Sequence, residues 1–349
     1  MASVMIEAMA MIFRQEAMFP FSLIALPKHI IFSALEAWVI RSHSTHESAL
    51  PLLLKALNGC EGCGDKDGIA MSSLFLGLAY RTMGNFDLSL KTLLVPFTYF
   101  KQTGRYPVLL EGSCNSLANV NLQMHNYEEA FSLFQTGYET GLRIGDVFFP
   151  VLALNGMGKA RMLQDKPEEA MEYFNKALEE SKKIGNPMQI GDTLIELAAI
   201  NYRSGNLILA EQLNKQALGI YDGKFPGAEI TCRINLGEIY LKQSRWVEAI
   251  EVLNQALALA DRINVKPKMY RVHLGLSKVY KAMNDPAQSL YHHEIFHELR
   301  EIVQEEDNAR KLSDAKLVFE AEQTKKENVV IKKRKSKAKT GNYGKLSMS

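Results

Sequence analysis

Residues suited to ending a helix recur along this chain at intervals close to 40 residues. Gly64, Gly104, Gly145 and Gly185 form the series, and Asn264 holds the same position near its far end. Helices often end on a residue in the left-handed conformation, which glycine adopts without a Cβ penalty and asparagine adopts next most readily. A fixed period of this length is typical of chains that stack one supersecondary unit many times. The spacing therefore predicts a repeat architecture built from helices.

Small residues recur at two positions of each unit, and the second position follows the first by 12 residues. Two antiparallel helices can cross closely only where their side chains are small, so the pattern predicts one helix hairpin per unit, in repeats one to seven. The first-helix positions are Ala37, Gly77, Ala118, Gly158, Ala198, Gly237 and Ser277. The second-helix positions are Ala49, Ser89, Ala130, Ala170, Ala210, Ala249 and Ser289.

Several repeats carry a fuller pattern, of which the clearest is Leu236-Gly237 with Tyr240, then Ala249 and Ala256. This arrangement resembles the tetratricopeptide repeat, and the resemblance covers residues 28–300 in seven copies. It implies an all-α, tetratricopeptide-type solenoid of about seven hairpins. The usual unit has about 34 residues, so the longer period here predicts helices about a turn longer. Pro96, inside a second helix, should kink that helix or end it early.

Four segments are expected. Residues 1–27 should form an N-terminal helix, amphipathic over 4–19, that packs on the first repeat, and residues 28–297 should form the superhelix. Residues 298–335 should be a long charged helix leaving the solenoid, and residues 336–349 a disordered basic tail. An approximate heptad in the long helix favours a parallel coiled coil, and hence a homodimer. Its apolar positions are Leu299, Ile302, Ala309, Leu312, Ala315 and Phe319.

The stretch 309–328 is similar to the connector that joins a repeat sensor region to a histidine kinase, a nucleotide cyclase or a phosphatase in bacterial signalling proteins. That resemblance implies a role in signal transduction. It also leaves open that the chain is a fragment of such an enzyme. The downstream reading frame would decide between these alternatives.

Composition points to a cytoplasmic protein. The chain is 47% hydrophobic and 23% charged, its four cysteines are too few for a disulfide scaffold, and no apolar run reaches the length of a membrane span. From Lys325 onward, nine basic residues accompany one acid. This tail could contact nucleic acid, an anionic membrane or an import receptor. It lacks interleaved aromatic residues for stacking, so a solvated tail without a specific nucleic-acid partner is expected.

No motif in the sequence predicts catalysis, and neither a cofactor nor a metal is expected. The chain has no phosphate-binding glycine loop, no Gly-x-Ser-x-Gly and no kinase motif. Cys60 and Cys63 have metal-ligand spacing but lack a second pair, and they should fall in or just after the last turn of a helix. His292, His293 and His297 lack the glutamate of a zinc-protease motif and are interpreted as polar residues at the start of the exit helix.

The concave surface is the predicted working site. Stacked hairpins curve, and the first helices should line the inner side, where amides can hold an extended peptide backbone and cations can hold a carboxylate. The candidate partner-binding residues are Asn115, Asn119, Gln123, Asn155, Lys159, Tyr202, Arg203 and Lys242. They predict a non-catalytic sensory or interaction module that binds a peptide or protein segment. The alternative is a scaffold or chaperone adaptor with no signalling role.

Overall fold

A computed structural model describes residues 46–346, in which thirteen α-helices follow one another and no strand occurs. The predicted packing helix and the first helix of repeat one lie outside these residues. The helices are α1 (His46–Cys63), α2 (Lys66–Thr82), α3 (Phe86–Thr103), α4 (Pro107–Gln123), α5 (Tyr127–Ile144), α6 (Phe149–Leu163), α7 (Pro167–Ile184), α8 (Pro187–Arg203), α9 (Leu207–Tyr221), α10 (Pro226–Lys242), α11 (Trp246–Arg262), α12 (Lys266–Ala282) and α13 (Pro286–Leu346).

The helices pack as hairpins, which confirms the all-α solenoid. Helix α1 is the second helix of repeat one, and the pairs α2–α3 to α12–α13 are repeats two to seven. The two small residues of a repeat meet where its helices cross: the Ser89 hydroxyl donates to the Gly77 carbonyl oxygen at 2.7 Å. A Cβ added to Gly237 would lie 2.7 Å from Leu253 Cγ. Small residues are therefore required at the crossing.

The predicted helix stops adopt the left-handed conformation, with φ of 72° at Gly145, 70° at Gly185 and 50° at Asn264. A second series, which the sequence did not reveal, ends each first helix. Its members have φ between 59° and 82° and are Gly84, His125, Asp165, Gly205, Ser244 and Asn284. Only two of these are glycines, so composition alone hides a period that the backbone repeats in every described hairpin.

Pro96 does not end its helix. Helix α3 continues through the buried Pro96 to Thr103 and stops at Gly104, which has φ 63°. The helix therefore ends at the position expected from the 40-residue period, although proline cannot donate a backbone hydrogen bond. The prediction that this helix ends early is wrong.

The two helices of a hairpin cross a second time near the start of the first helix, where a large side chain on one helix packs against a small residue on the other. Gly191 of α8 faces Tyr221 of α9, where an added Cβ would lie 2.4 Å from the ring. In repeat three the large residue lies on the first helix and the small one on the second. Gly141 of α5 faces Glu111 of α4, and an added Cβ would lie 2.2 Å from Glu111 Oε1. One large and one small side chain fill this space in both repeats, as close packing requires.

Helix α13 differs from the predicted exit helix in three respects. It runs without a break from Pro286 to Leu346, so no boundary falls at residue 298. Residues 336–346 are helical, whereas the composition predicted disorder from 336. The helix also does not simply leave the solenoid, because Val318 packs in a cluster with Leu50 of α1 and Met83 after α2. Among the helices of residues 46–346, none is long and apolar enough to cross a bilayer.

Candidate functional site

The inner surface of the solenoid is formed by the first helices. Helices α4 and α6, α6 and α8, and α10 and α12 approach one another across adjacent repeats, whereas the second helices of adjacent repeats do not pack closely within residues 46–346. A stack that is tighter on one side curves toward that side. The even-numbered helices α2 to α12 therefore face the concave side, and the odd-numbered helices α3 to α11 face the convex side.

Polar pairs connect neighbouring first helices on this surface. The Lys159 ammonium of α6 lies 2.9 Å from a Glu196 carboxylate oxygen of α8, with 48% and 31% of the two side chains exposed. One turn earlier, the Asn155 amide donates to the Thr193 hydroxyl at 2.9 Å, and both residues are buried. Lys159 thus remains accessible, whereas the predicted binding amide of Asn155 already bonds inside the protein.

Asp192 is the acid of this surface that sequence reasoning missed. It is exposed, yet the buried Tyr221 hydroxyl donates to its Oδ1 at 2.6 Å from the second helix of the same repeat. Loss of water around the carboxyl group raises the pKa of Asp192. The hydrogen bond from Tyr221 and the charge of Lys159 act in the opposite direction and lower it. The spacing of Asp192 from the aligned residue Ala198 carried no signal, because the hydroxyl that orients it comes from another helix.

Tyr202 and Lys242 meet across the next junction. The Lys242 ammonium of α10 sits 3.9 Å from the centre of the Tyr202 ring of α8, which is a cation–π contact. Burial, and then the charge of Glu238, raise the pKa of the Tyr202 hydroxyl. Arg203 is exposed at the end of α8. The structure thus brings together Lys159 with the acids Asp192 and Glu196, and separately Tyr202 with Lys242.

The three candidates on α4 form a separate group. Asn115 and Asn119 are half-buried, and the Asn119 amide donates to the Asn115 carbonyl oxygen at 2.7 Å within the same helix. Gln123, at the end of α4, is exposed and lines a recess together with Lys311 and Val318 of α13. The end of the predicted groove therefore meets the C-terminal helix, a neighbour that local periodicity could not indicate.

Two further polar clusters lie in the last turn of α1 and between α12 and α13. Cys60 and Cys63 occupy the last turn of α1, as predicted, and neither they nor the other two cysteines form a disulfide. His292 is buried, and its Nδ1 lies 2.9 Å from Nδ1 of the buried His273 of α12. His293 and His297 are exposed, with their Nε2 atoms 3.1 Å apart. Burial lowers the pKa of both His273, to about 4, and His292.

Sequence models of the tetratricopeptide repeat match residues 152–184 and residues 231–264, which fall on the hairpins α6–α7 and α10–α11. A sequence comparison with curated proteins finds no match.

Solved structures resemble the chain in fold. The apo form of RapI superposes with a TM-score of 0.64 at 13% identity, covering 79% of this chain and 99% of RapI. The Rap conjugation gene regulator of plasmid pLS20, in complex with the Phr* peptide, gives 0.57 at 15% identity, covering 79% and 75%. NprR in complex with its cognate peptide NprX gives 0.55 at 13% identity, covering 84% and 83%. The chain therefore folds as a tetratricopeptide-like solenoid.

Proposed function

We propose that this protein binds a short peptide or an extended protein segment on its concave surface, without catalysis. The observation that carries the proposal is a row of accessible charged side chains on α6, α8 and α10, in which the exposed Lys159 and Lys242 flank the half-buried Glu196 and Glu238. A partly exposed ion pair such as Lys159–Glu196 contributes little to stability. Either side chain can therefore leave its partner and bind a ligand at small cost in free energy.

The dimensions of this row favour a short ligand. Neighbouring packed helices lie about 8–10 Å apart, so three first helices span about 20 Å. An extended chain advances about 3.3 Å per residue, which gives roughly six residues in contact. Asp192 and Glu196 would bind a cationic group of the ligand, and Lys159 and Lys242 would bind carboxylates. The similarly folded Rap conjugation gene regulator and NprR were solved with bound peptides, which supports this class of ligand.

The test uses the full-length protein to select binders from a displayed library of random peptides, followed by fluorescence anisotropy on the recovered sequences. Lys159→Ala and Asp192→Asn should each weaken binding by roughly fivefold or more, as expected for a lost charged hydrogen bond. Lys182→Ala is the matched control, because Lys182 is an exposed lysine on the convex helix α7. Binding that none of the groove substitutions changes would place the function elsewhere on the solenoid.

A second candidate is a scaffold that binds proteins at the edge of repeats five and six. Ile208 and Val247 occupy the same position at the start of α9 and α11, with 70% and 72% of each side chain exposed. Ile208→Ser/Val247→Ser would abolish binding to a protein partner in this case. The same substitutions would leave peptide binding in the groove unchanged.

The proposal includes a signalling role in the cytoplasm and a homodimer formed through α13. Leu312 and Phe319 lie two turns apart on one face of that helix and are 60% and 61% exposed, as expected of a stripe that a second helix covers. Sedimentation velocity would give a dimer for the wild type and a monomer for Leu312→Glu/Phe319→Glu. A wild-type monomer at high concentration would exclude the dimer.

A further inference from the structure

The C-terminal helix connects the last repeat to the first described one. Val318 of α13 is 9% exposed and packs with the buried Leu50, Leu53 and Leu57 of α1 and with Met83 at the end of α2. From Pro286 to Val318, at about 1.5 Å per residue, α13 spans about 48 Å. A single continuous helix thus starts in repeat seven and reaches repeats one and two.

Two further contacts mark its course. Lys266, at the start of α12, forms an ion pair with Glu306 of α13. Farther along, Lys311 and Ala315 face the turn between α2 and α3 and the end of α4, where they line a recess with Asp87 and Gln123. Otherwise, the packed helix pairs within residues 46–346 belong to the same repeat or to adjacent repeats. The α13 contact is therefore long-range in an architecture that is otherwise held together by neighbours.

This contact has a mechanical consequence. In a solenoid each repeat touches only its neighbours, so small rotations at successive junctions add up to a change in curvature. A helix that is anchored in repeat seven and docked on repeats one and two opposes that change, because it fixes the distance between the ends. While the contact holds, the curvature of the concave surface is held with it.

The contact is also small. Val318 is buried and Leu317 is half-buried against the same cluster, while the adjacent Phe319 remains 61% exposed. The recess beside the contact, about 520 Å³ in volume, is not filled by side chains. The Lys266–Glu306 pair lies at the surface, with 34% and 57% of the side chains exposed, where an ion pair contributes little. Such a joint can open without unfolding the repeats.

We propose that residues 311–318 of α13 form a releasable strap, and that the surface of α1 and the α2–α3 turn is its docking site. The strap holds the solenoid at one curvature and opens when another interaction favours a different curvature. Resting on the function proposed above, a peptide that binds the groove at another curvature would release the strap. Gln123, which faces both the end of the groove and Lys311, lies where the two surfaces meet.

The test measures backbone hydrogen exchange of residues 308–320 in the full-length protein, without any ligand, so its outcome is independent of peptide binding. Val318→Lys buries a charge at the joint and should accelerate exchange in this segment by roughly tenfold or more, in line with the value of a buried valine side chain. Asn308→Lys is the matched control: it introduces the same charge at an exposed position of the same helix, outside both the Val318 contact and the Leu312–Phe319 stripe, and should leave exchange unchanged.

A second variant, Leu317→Asp, tests the same joint if Val318→Lys disturbs the repeats, and circular dichroism verifies that each variant keeps its helices. Equal exchange in the wild type and in both joint variants would overturn the proposal. Dilution tests the occupant of the docking site. Protection that stays constant on dilution supports the chain's own strap, whereas protection lost on dilution would show that a second copy supplies the helix and would overturn it.

Discussion

Glu111 offers a test of how burial controls this fold. Its side chain is 1% exposed, and neither carboxyl oxygen has a hydrogen-bond partner among the described residues. The equivalent positions of neighbouring repeats hold apolar or small residues, which are Ala70, Val151, Gly191 and Ile230. Burial, and then the nearby Asp146 carboxylate, raise the pKa of Glu111 to about 8. At neutral pH the folded protein therefore binds a proton that the unfolded chain releases.

The magnitude follows from this difference. The ordinary pKa of a glutamate is 4.5. Between that value and about 8 the native state binds more protons than the unfolded state, so stability falls as the pH rises. Each pH unit costs about 1.4 kcal/mol, which amounts to roughly 3 kcal/mol at pH 7. Glu111→Met has a similar length without a titratable group, so it should remove this cost.

The assay is urea unfolding at several pH values, with helicity as the signal. The stability advantage of Glu111→Met over the wild type should grow by about 1.4 kcal/mol per pH unit between about pH 5 and 8. Gln189→Met is the control, because Gln189 is buried near the start of α8 and its amide donates to the Phe148 carbonyl oxygen at 2.9 Å. It should lose stability by an amount that pH does not change. A Glu111→Met advantage that is constant with pH would refute the reasoning.

Three further expectations follow from contacts between side chains. His273 and His292 have folded-state pKa values below the ordinary 6.5, so the unfolded chain binds more protons than the folded protein below that pH. Stability should therefore fall as the pH drops from 6.5 toward 4. The double variant His273→Gln/His292→Gln should lack this pH dependence in thermal unfolding between pH 4 and 7. Gly191→Ala should cost about 1–3 kcal/mol through overlap with the Tyr221 ring, and Gly191→Val/Tyr221→Ser, the pair present in repeat four, should recover part of it by urea unfolding. Glu211 has a folded-state pKa of about 2, because hydrogen bonds, mainly from Lys215 and Arg245, outweigh the effect of its burial. The stability that the ionised Glu211 contributes should be lost as the pH falls from 4.5 through 2. Glu211→Gln should therefore lose less stability than the wild type over this pH range in acid unfolding.

Local sequence was sufficient to predict the repeat unit. Helix ends and helix crossings depend on conformational limits of single residues: Gly145 and Gly185 stop helices because they enter the left-handed region, and Gly237 is small because Leu253 occupies the space beside it. These constraints recur once per repeat, so their period is visible without a structure. The second series of stops was hidden because His125 and Ser244 adopt the same conformation without being glycines.

The candidate site was only partly predictable. Periodicity indicated that Lys159 and Lys242 lie on first helices, and both are exposed there. It did not indicate that the Asn155 amide would donate a hydrogen bond to Thr193, because that bond joins residues 38 positions apart on different repeats. Asp192 was missed for the same reason, since its orientation depends on a hydroxyl from α9.

The sequence by itself thus determined the helical unit, its period and the number of stacked hairpins, because each of these rests on contacts within about one repeat. Only the tertiary structure decided that the helix of the last repeat contacts the first described repeats. The curvature of a solenoid is the sum of small rotations at every junction, and no single residue encodes that sum. The packing of Val318 against Leu50 and Met83 depends on it, and this is why a helix predicted to leave the solenoid returns to its first repeats.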